Sequence, residues 1–183
     1  MYLAINEDEI IAKIMGGQAV PAAQIPDSAC AGFDPSLKRL PYDPEKAKAL
    51  LKEAGYPDGF EITLGGPNDR YVNDARIAEA AVQYLNKVGI TAKLDVKPKS
   101  IFFPEVSGGE KHQFYLLGWL DGAYDSARGL TTNIVTYNKE KGSGGWNGAR
   151  FSAPELDALV DKAGVTVDLA ERDGILRRAN RMA

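Results

Sequence analysis

The sequence predicts an α/β domain with a mostly parallel sheet flanked by helices, on three observations. Stretches of alternating apolar and polar residues take turns along the chain with stretches of helical spacing. Each strand is separated from the next by enough residues for a helical crossover, as parallel pairing requires. The apolar fraction is 44% over 183 residues, enough for the core of one domain of ordinary size.

Taken in order, Tyr2–Ile5 is apolar and Asn6 precedes Glu9 by three residues, the spacing of a capping box. A helix is expected from Asn6 to about Met15, ended by Gly16-Gly17. Pro21, Pro26, Pro35 and Pro41 make residues 18–42 irregular, since proline interrupts both helix and central strand. Asp43 then caps a helix with Pro44 at its first position and Ala47, Leu50, Leu51 and Ala54 on one face. Phe60–Leu64 alternates and reads as a strand broken by Gly65-Gly66-Pro67. A helix is expected over about Asn73–Val88, with Ile77, Ala81, Leu85 and Val88 as its stripe, and a strand over Ile90–Val96. Ser100 is expected to cap a short helix containing Phe102, Phe103 and Val106. Gln113–Trp119 is expected to be a buried third strand. Residues 120–150 are glycine-rich loops with room for a short helix. Two helices close the chain, Pro154–Ala163 with Ser152 as cap and Asp168–Met182.

Composition narrows the function classes. Net charge is −3, from 22 basic and 25 acidic residues, and no basic stripe accompanies an aromatic ladder, so no nucleic-acid partner is expected. The single Cys30 excludes an intramolecular disulfide and a paired-cysteine metal site. His112 has no second histidine or cysteine nearby and is read as an exposed loop histidine; Cys30 is read as a bystander thiol. No apolar run reaches the roughly 18 residues a membrane span needs. Neither a nucleophile elbow, a phosphate-binding loop nor a zinc-protease helix motif is present. No metal or cofactor is expected.

Two segments remain as site candidates. In an open parallel sheet, ligands bind beyond the carboxyl ends of the strands. That places Trp119, Asp121 and Asp125 well, with an indole surface and N–H donor beside carboxylates that can pair with a cation. The competing reading makes Trp119 a core residue and both aspartates turn caps. In the second segment, Gly144 and Gly145 precede Trp146, Asn147 and Arg150. Glycines there would let backbone approach a ligand, Asn147 can donate and accept, and Arg150 can hold a carboxylate. The competing reading is a loop packed on the domain edge. Asn68 and Tyr71, after the first strand, are weaker candidates.

Several segments resemble one family. Ala4–Ile11 with Gly16–Ala22, Tyr42–Leu51 with Ala54–Phe60, Gly118-Trp119 with Asp125, and Asn147 with Phe151 through Leu159 are similar to the extracytoplasmic solute-binding proteins of ABC importers, peptide/nickel type, family 5. The resemblance covers essentially the whole chain. It implies a periplasmic-binding-protein-like lobe spanning residues 1–183, most of the C-terminal lobe of a two-lobed protein and truncated at both ends. It also implies a periplasmic, monomeric parent that closes on an oligopeptide or other small solute and hands it to a membrane permease, without being an enzyme. In peptide-binding members an aspartate after the Gly-Trp strand pairs with the ligand's amino terminus. Here Asp125 matches the second acidic position of that motif, Gly122 stands at the first, and Asp121 lies one residue earlier. Ligands across the family include opines, glutathione-like peptides, sugars and metal chelates. The alternative from a different class is a hydrolase or transferase using Asp121 and Asp125 as acid and base, which needs one raised pKa in a closed cleft.

Overall fold

Side chains bonding to backbone start most of the helices in a computed structural model that describes residues 1–109 and 111–183. The Asn6 side-chain Oδ1 accepts from Glu9 N–H, so α1 runs Glu7–Lys13 and stops before Gly16 and Gly17, both at positive φ. Asp43 accepts from Lys46 N–H and Pro44 occupies the first turn of α2, Pro44–Glu53. Asp125 and Asp168 cap α5 (Ser126–Asn133) and α7 (Leu169–Met182) in the same way. These caps satisfy N–H groups that a helix leaves without partners.

The remaining elements are β1 (Glu61–Pro67), α3 (Asp74–Lys87), β2 (Thr91–Lys97), α4 (Lys99–Gly108), β3 (Phe114–Tyr115) and α6 (Pro154–Val165). The three strands form one parallel sheet in the order β2-β1-β3. Residues 18–42 contain no helix or strand, as the prolines predict, apart from an isolated bridge between Ala31 and Asp125.

Several expectations are corrected. Gly65-Gly66-Pro67 does not break the first strand: these residues stay in register with Asp95, Val96 and Lys97 of β2. The third strand is two residues long because only Phe114 and Tyr115 pair with Leu64 and Gly65. The sheet is not buried throughout, since β2 is an edge strand with Thr91, Lys93 and Leu94 exposed. Ser100 lies inside α4 rather than capping it, with the Pro98 carbonyl accepting from Ile101 and Phe102. Ser152 does not cap α6; Ala153 holds that position and the Ser152 hydroxyl pairs with Thr136 Oγ1 at 2.9 Å.

Backbone contacts divide the chain into two compact units. The first comprises Met1–Pro21, Arg39–Pro104 and Phe114–Leu117. Its core gathers Leu3, Ala4, Ala47, Leu85, Val88, Ile90 and Ala92. The second comprises Ala22–Lys38, Glu105–Gln113 and Gly118–Ala183. Its core is Leu130, Leu156, Leu159, Val160, Ala163, Ile175, Leu176 and Ala179 on the inward faces of α5, α6 and α7, with Val135 from just after α5. Among the described residues no helix is long and apolar enough to cross a membrane.

Candidate functional site

Both candidate segments lie in the second unit and both meet α5. The chain turns at Asp121, whose carbonyl accepts from Tyr124 N–H at 3.1 Å. Tyr124 has a φ of +53°, unfavourable for a bulky side chain, and its carbonyl accepts from Ala31 N–H at 2.9 Å. This turn tucks Asp121 inward until only 8% of it is exposed. Trp119 is half-buried, with the Arg128 guanidinium 5.8 Å from its ring centre.

Gly129 of α5 brings these two side chains together. A methyl group built on it would sit 3.1 Å from Trp119 Nε1 and 3.3 Å from Asp121 Oδ2. The indole nitrogen and that carboxylate oxygen are therefore no more than about 6.4 Å apart, both packed closely against the helix where a side chain is missing. Trp119 Nε1 and Asp121 Oδ1 are both buried, and neither has a hydrogen-bond partner among the described residues. Buried polar atoms are nearly always paired, and an unmade bond costs about 1–3 kcal/mol.

Asp125 is differently placed. Its Oδ1 accepts from Ala127 N–H at 2.9 Å and its Oδ2 from Arg172 Nη1 at 2.6 Å. Burial pushes this carboxyl up, but the Arg172 guanidinium and the Ala127 N–H outweigh it and hold the group below the usual carboxylate range. Asp125 thus caps α5 and ties it to α7, the capping role foreseen as the competing reading.

In the second segment Asn147 is 2% exposed. Its Nδ2 donates to Phe151 O at 2.7 Å and reaches Ile134 O and Val135 O at 3.2 Å; its Oδ1 accepts from Phe151 N–H at 3.0 Å. The amide is fully engaged by its own loop. Gly144 N–H and Trp146 N–H donate to Thr131 O and Thr132 O of α5, at 2.8 and 2.9 Å. Arg150, exposed and at a φ of +54°, lies over the Tyr137 ring with its guanidinium 4.0 Å from the centre and donates to Gly108 O at 2.9 Å.

His112 corrects its expectation: it is 3% exposed, with Nε2 2.9 Å from Glu105 Oε2, on the face of the preceding helix. Cys30 is buried too, and burial together with the Asp27 carboxylate pushes its thiol up, with Asp121 adding to the effect. Asn68 and Tyr71 belong to the first unit, where Asn68 N–H donates to Lys97 O and Tyr71 N–H to the Asp74 carboxylate. Sequence reasoning missed Gly129; neither pattern nor composition marks a helical glycine as the point on which Trp119 and Asp121 pack.

The family model described as "Bacterial extracellular solute-binding proteins, family 5 Middle" matches residues 1–141. The chain belongs to this family. The di/tripeptide-binding protein 2 of Pseudomonas aeruginosa (strain UCBPP-PA14) is 30% identical over 185 residues, covering 98% of this chain and 34% of that protein. The dipeptide-binding protein of Escherichia coli (strain K12) is 31% identical over 179 residues, covering 96% and 33%. Among solved structures, the ABC transporter-associated periplasmic binding protein DppA from Helicobacter pylori, in complex with the peptide STSA, matches at 26% identity with a TM-score of 0.87. That match covers 99% of this chain and 34% of the other. The chain spans about a third of the length of these relatives.

Proposed function

We propose that residues 1–183 make up most of the C-terminal ligand-binding lobe of a periplasmic solute-binding protein, a monomer that serves an ABC importer. It holds a peptide-like solute between two lobes and delivers it to a membrane permease. One observation carries the site assignment: Trp119 Nε1 and Asp121 Oδ1 are buried and without partners among the described residues, on two side chains that both meet Gly129. A free amino terminus supplies a cation for Asp121, and the neighbouring peptide carbonyl supplies an acceptor for the indole N–H. The dipeptide- and di/tripeptide-binding relatives support the same class of solute. Asp125, held by Arg172 and by the α5 N-terminus, positions the helix that carries the site. Asn147 holds the second segment in shape, while Trp146 and Arg150 edge that segment and remain candidates for contact with the distal end of the solute.

The reading is one of binding, not turnover. A lobe alone supplies half of the contacts, so binding to this chain is weak and tightens when a second lobe closes over the solute. The test uses the chain as it stands. Its two tryptophans give two indole N–H resonances, told apart by Trp146→Phe. Titration with dialanine shifts the Trp119 resonance and the peptide is recovered intact. Asp121→Asn removes the shift at the same peptide concentrations. Unchanged dialanine affinity in Asp121→Asn, or hydrolysis of the peptide, rejects the proposal.

A further inference from the structure

An aspartate or asparagine followed by glycine is open to attack on its own side chain, because glycine leaves the next backbone nitrogen unshielded. The chain has four such pairs: Asp58-Gly59, Asp121-Gly122, Asn147-Gly148 and Asp173-Gly174. The fold locks three of them. Gly59 N–H donates to Tyr56 O at 3.0 Å, and a Cβ on Gly59 would lie 1.8 Å from Gly89 O, so this glycine has no room to turn. Gly148 N–H donates to Trp146 O at 2.9 Å, and the Asn147 amide is bonded through both of its ends. Gly174 lies inside α7, where the helix takes its N–H, and the Asp173 carboxylate accepts from Gly32 N–H and pairs with Arg177. Asp121-Gly122 differs at both atoms that would join. Gly122 is exposed, its N–H has no partner among the described residues, and a Cβ built on it would meet nothing within 4 Å. Asp121 packs on Gly129, but its Oδ1 has no hydrogen-bond partner among the described residues to hold it there. Two residues on, Tyr124 sits at a φ of +53°, so the same turn is strained.

We infer that Asp121-Gly122 is a site of spontaneous covalent modification, which converts through a cyclic imide to isoaspartate. Gly122 N attacks Cγ of the protonated Asp121 carboxyl. The N–Cγ bond forms, and the amide proton and the carboxyl hydroxyl leave together as water. No oxidant or cofactor takes part. Water then opens the ring at one of its two carbonyls. Opening at Cγ restores aspartate. Opening at the backbone carbonyl carbon leaves Gly122 joined through Cγ, with the main chain one methylene longer and the former backbone carbonyl as a free carboxylate. Asp121 is 8% exposed, but burial does not bar the first step, because the nucleophile is the next residue and nothing has to enter. The inference concerns the covalent chain and stands apart from the binding role proposed above.

The test ages the folded chain in neutral buffer made with heavy-oxygen water and maps its peptides by mass spectrometry. Each ring opening leaves one heavy oxygen, so returns to ordinary aspartate are counted along with isoaspartate. The Asp121 peptide is expected to gain label at least about tenfold faster than the Asp58 and Asp173 peptides, a barrier difference of roughly 1.4 kcal/mol. In urea the three rates converge, because the contacts that lock the other two pairs are gone. Gly122→Ala puts its methyl into open space and so keeps the fold, yet shields the nitrogen; it is expected to slow labelling at Asp121 about tenfold. In freshly made Asp121→Asn, ammonia leaves in place of water, and the amide at that position converts faster than Asn147 does in the same chain. Labelling at Asp58 that matches or exceeds labelling at Asp121 in the folded chain overturns the inference. So does a rate at Asp121 that Gly122→Ala leaves unchanged, or an Asp121→Asn amide that converts no faster than Asn147.

Discussion

Asn147→Ala tests whether that residue works for the loop or for a ligand. The side chain is 2% exposed, and its amide bonds to Phe151 through both of its ends while reaching Ile134 O and Val135 O. Its two N–H groups serve three carbonyls, so the amide makes about three bonds' worth of contact. At roughly 1 kcal/mol net per bond, and with Phe151 N–H and O left short of partners, the truncation is expected to cost about 3 kcal/mol. In a chain of this size that is a fall in Tm of roughly 6–12 °C. Asn147→Asp sharpens the argument. At neutral pH a carboxylate would face three carbonyl oxygens with no hydrogen to offer, so this variant is expected to be less stable than the alanine variant. Its carboxyl pKa would be raised in the folded state, so its deficit shrinks as pH falls through the carboxylate range and grows as pH rises. Urea unfolding followed by Trp146 fluorescence in a Trp119→Phe background reads the loop directly. A loss under about 0.5 kcal/mol for Asn147→Ala, the range of an ordinary surface substitution, refutes the account.

Further outcomes follow from other contacts. Gly59 has a φ of +76°, and a Cβ there would lie 1.8 Å from the Gly89 carbonyl oxygen, so Gly59→Ala is expected to lose at least about 3 kcal/mol by urea unfolding, and a near-neutral result would show that the turn is laid out differently. Gly129→Ala gains about 1 kcal/mol of helix propensity but brings a methyl to 3.1 Å from Trp119 Nε1; stability should change little while dialanine binding drops about tenfold, and unaltered affinity would clear Gly129 of any role. The Ser36 hydroxyl, the Arg181 guanidinium and the Ser36 N–H hold the Asp34 carboxyl at about 2. A depressed carboxyl pKa contributes stability that is complete above the unfolded value near 4 and is lost as pH falls through 2, so Asp34→Asn should flatten the acid limb of the stability–pH curve between about pH 4 and 2. An acid limb as steep as that of the native chain would contradict this.

What could be read from the sequence is what short-range chemistry decides. The Asn6, Asp43 and Asp168 caps act on N–H groups within three residues; the first two were legible as caps, and the helix that the third begins was legible by its bounds. What could not be read depends on distant partners. Gly65-Gly66-Pro67 looks like a strand end, yet β2 holds it in the ladder from some thirty residues away. Gln113–Trp119 looks like a full strand, yet the partner strand engages it only at Phe114 and Tyr115. His112 looks like a loop residue until Glu105 is placed beside it. The site divides along the same line. Trp119 and Asp121 were named because an indole and a carboxylate after a strand are conspicuous. The partner of Asp125, Arg172, lies 47 residues on, a pairing that no residue pattern encodes.

The position of α5 explains how the glycine-rich loops that carry the proposed site are held in place. Loops are the mobile part of a fold, and a recognition site needs groups fixed to within a fraction of an ångström. Here the loops do not hold themselves. Gly129 belongs to the helix, and the Trp119–Asp121 turn packs on it. The Gly144–Trp146 segment bonds to the carbonyls of Thr131 and Thr132. The helix is fixed in turn to α7 at its start, by Asp125 to Arg172 and by Asn180 Nδ2 to Ser126 Oγ at 3.0 Å. Asn180 also donates to Gly32 O at 2.9 Å, and Gly32 passes so close that a Cβ there would meet Ser126 Oγ at 2.2 Å. Arg172 and Asn180 therefore hold the first turn of α5, and Arg172→Ala or Asn180→Ala is expected to loosen the two loops that pack on that helix, read as faster amide exchange at Gly144 and Trp146, whose N–H groups bond to α5.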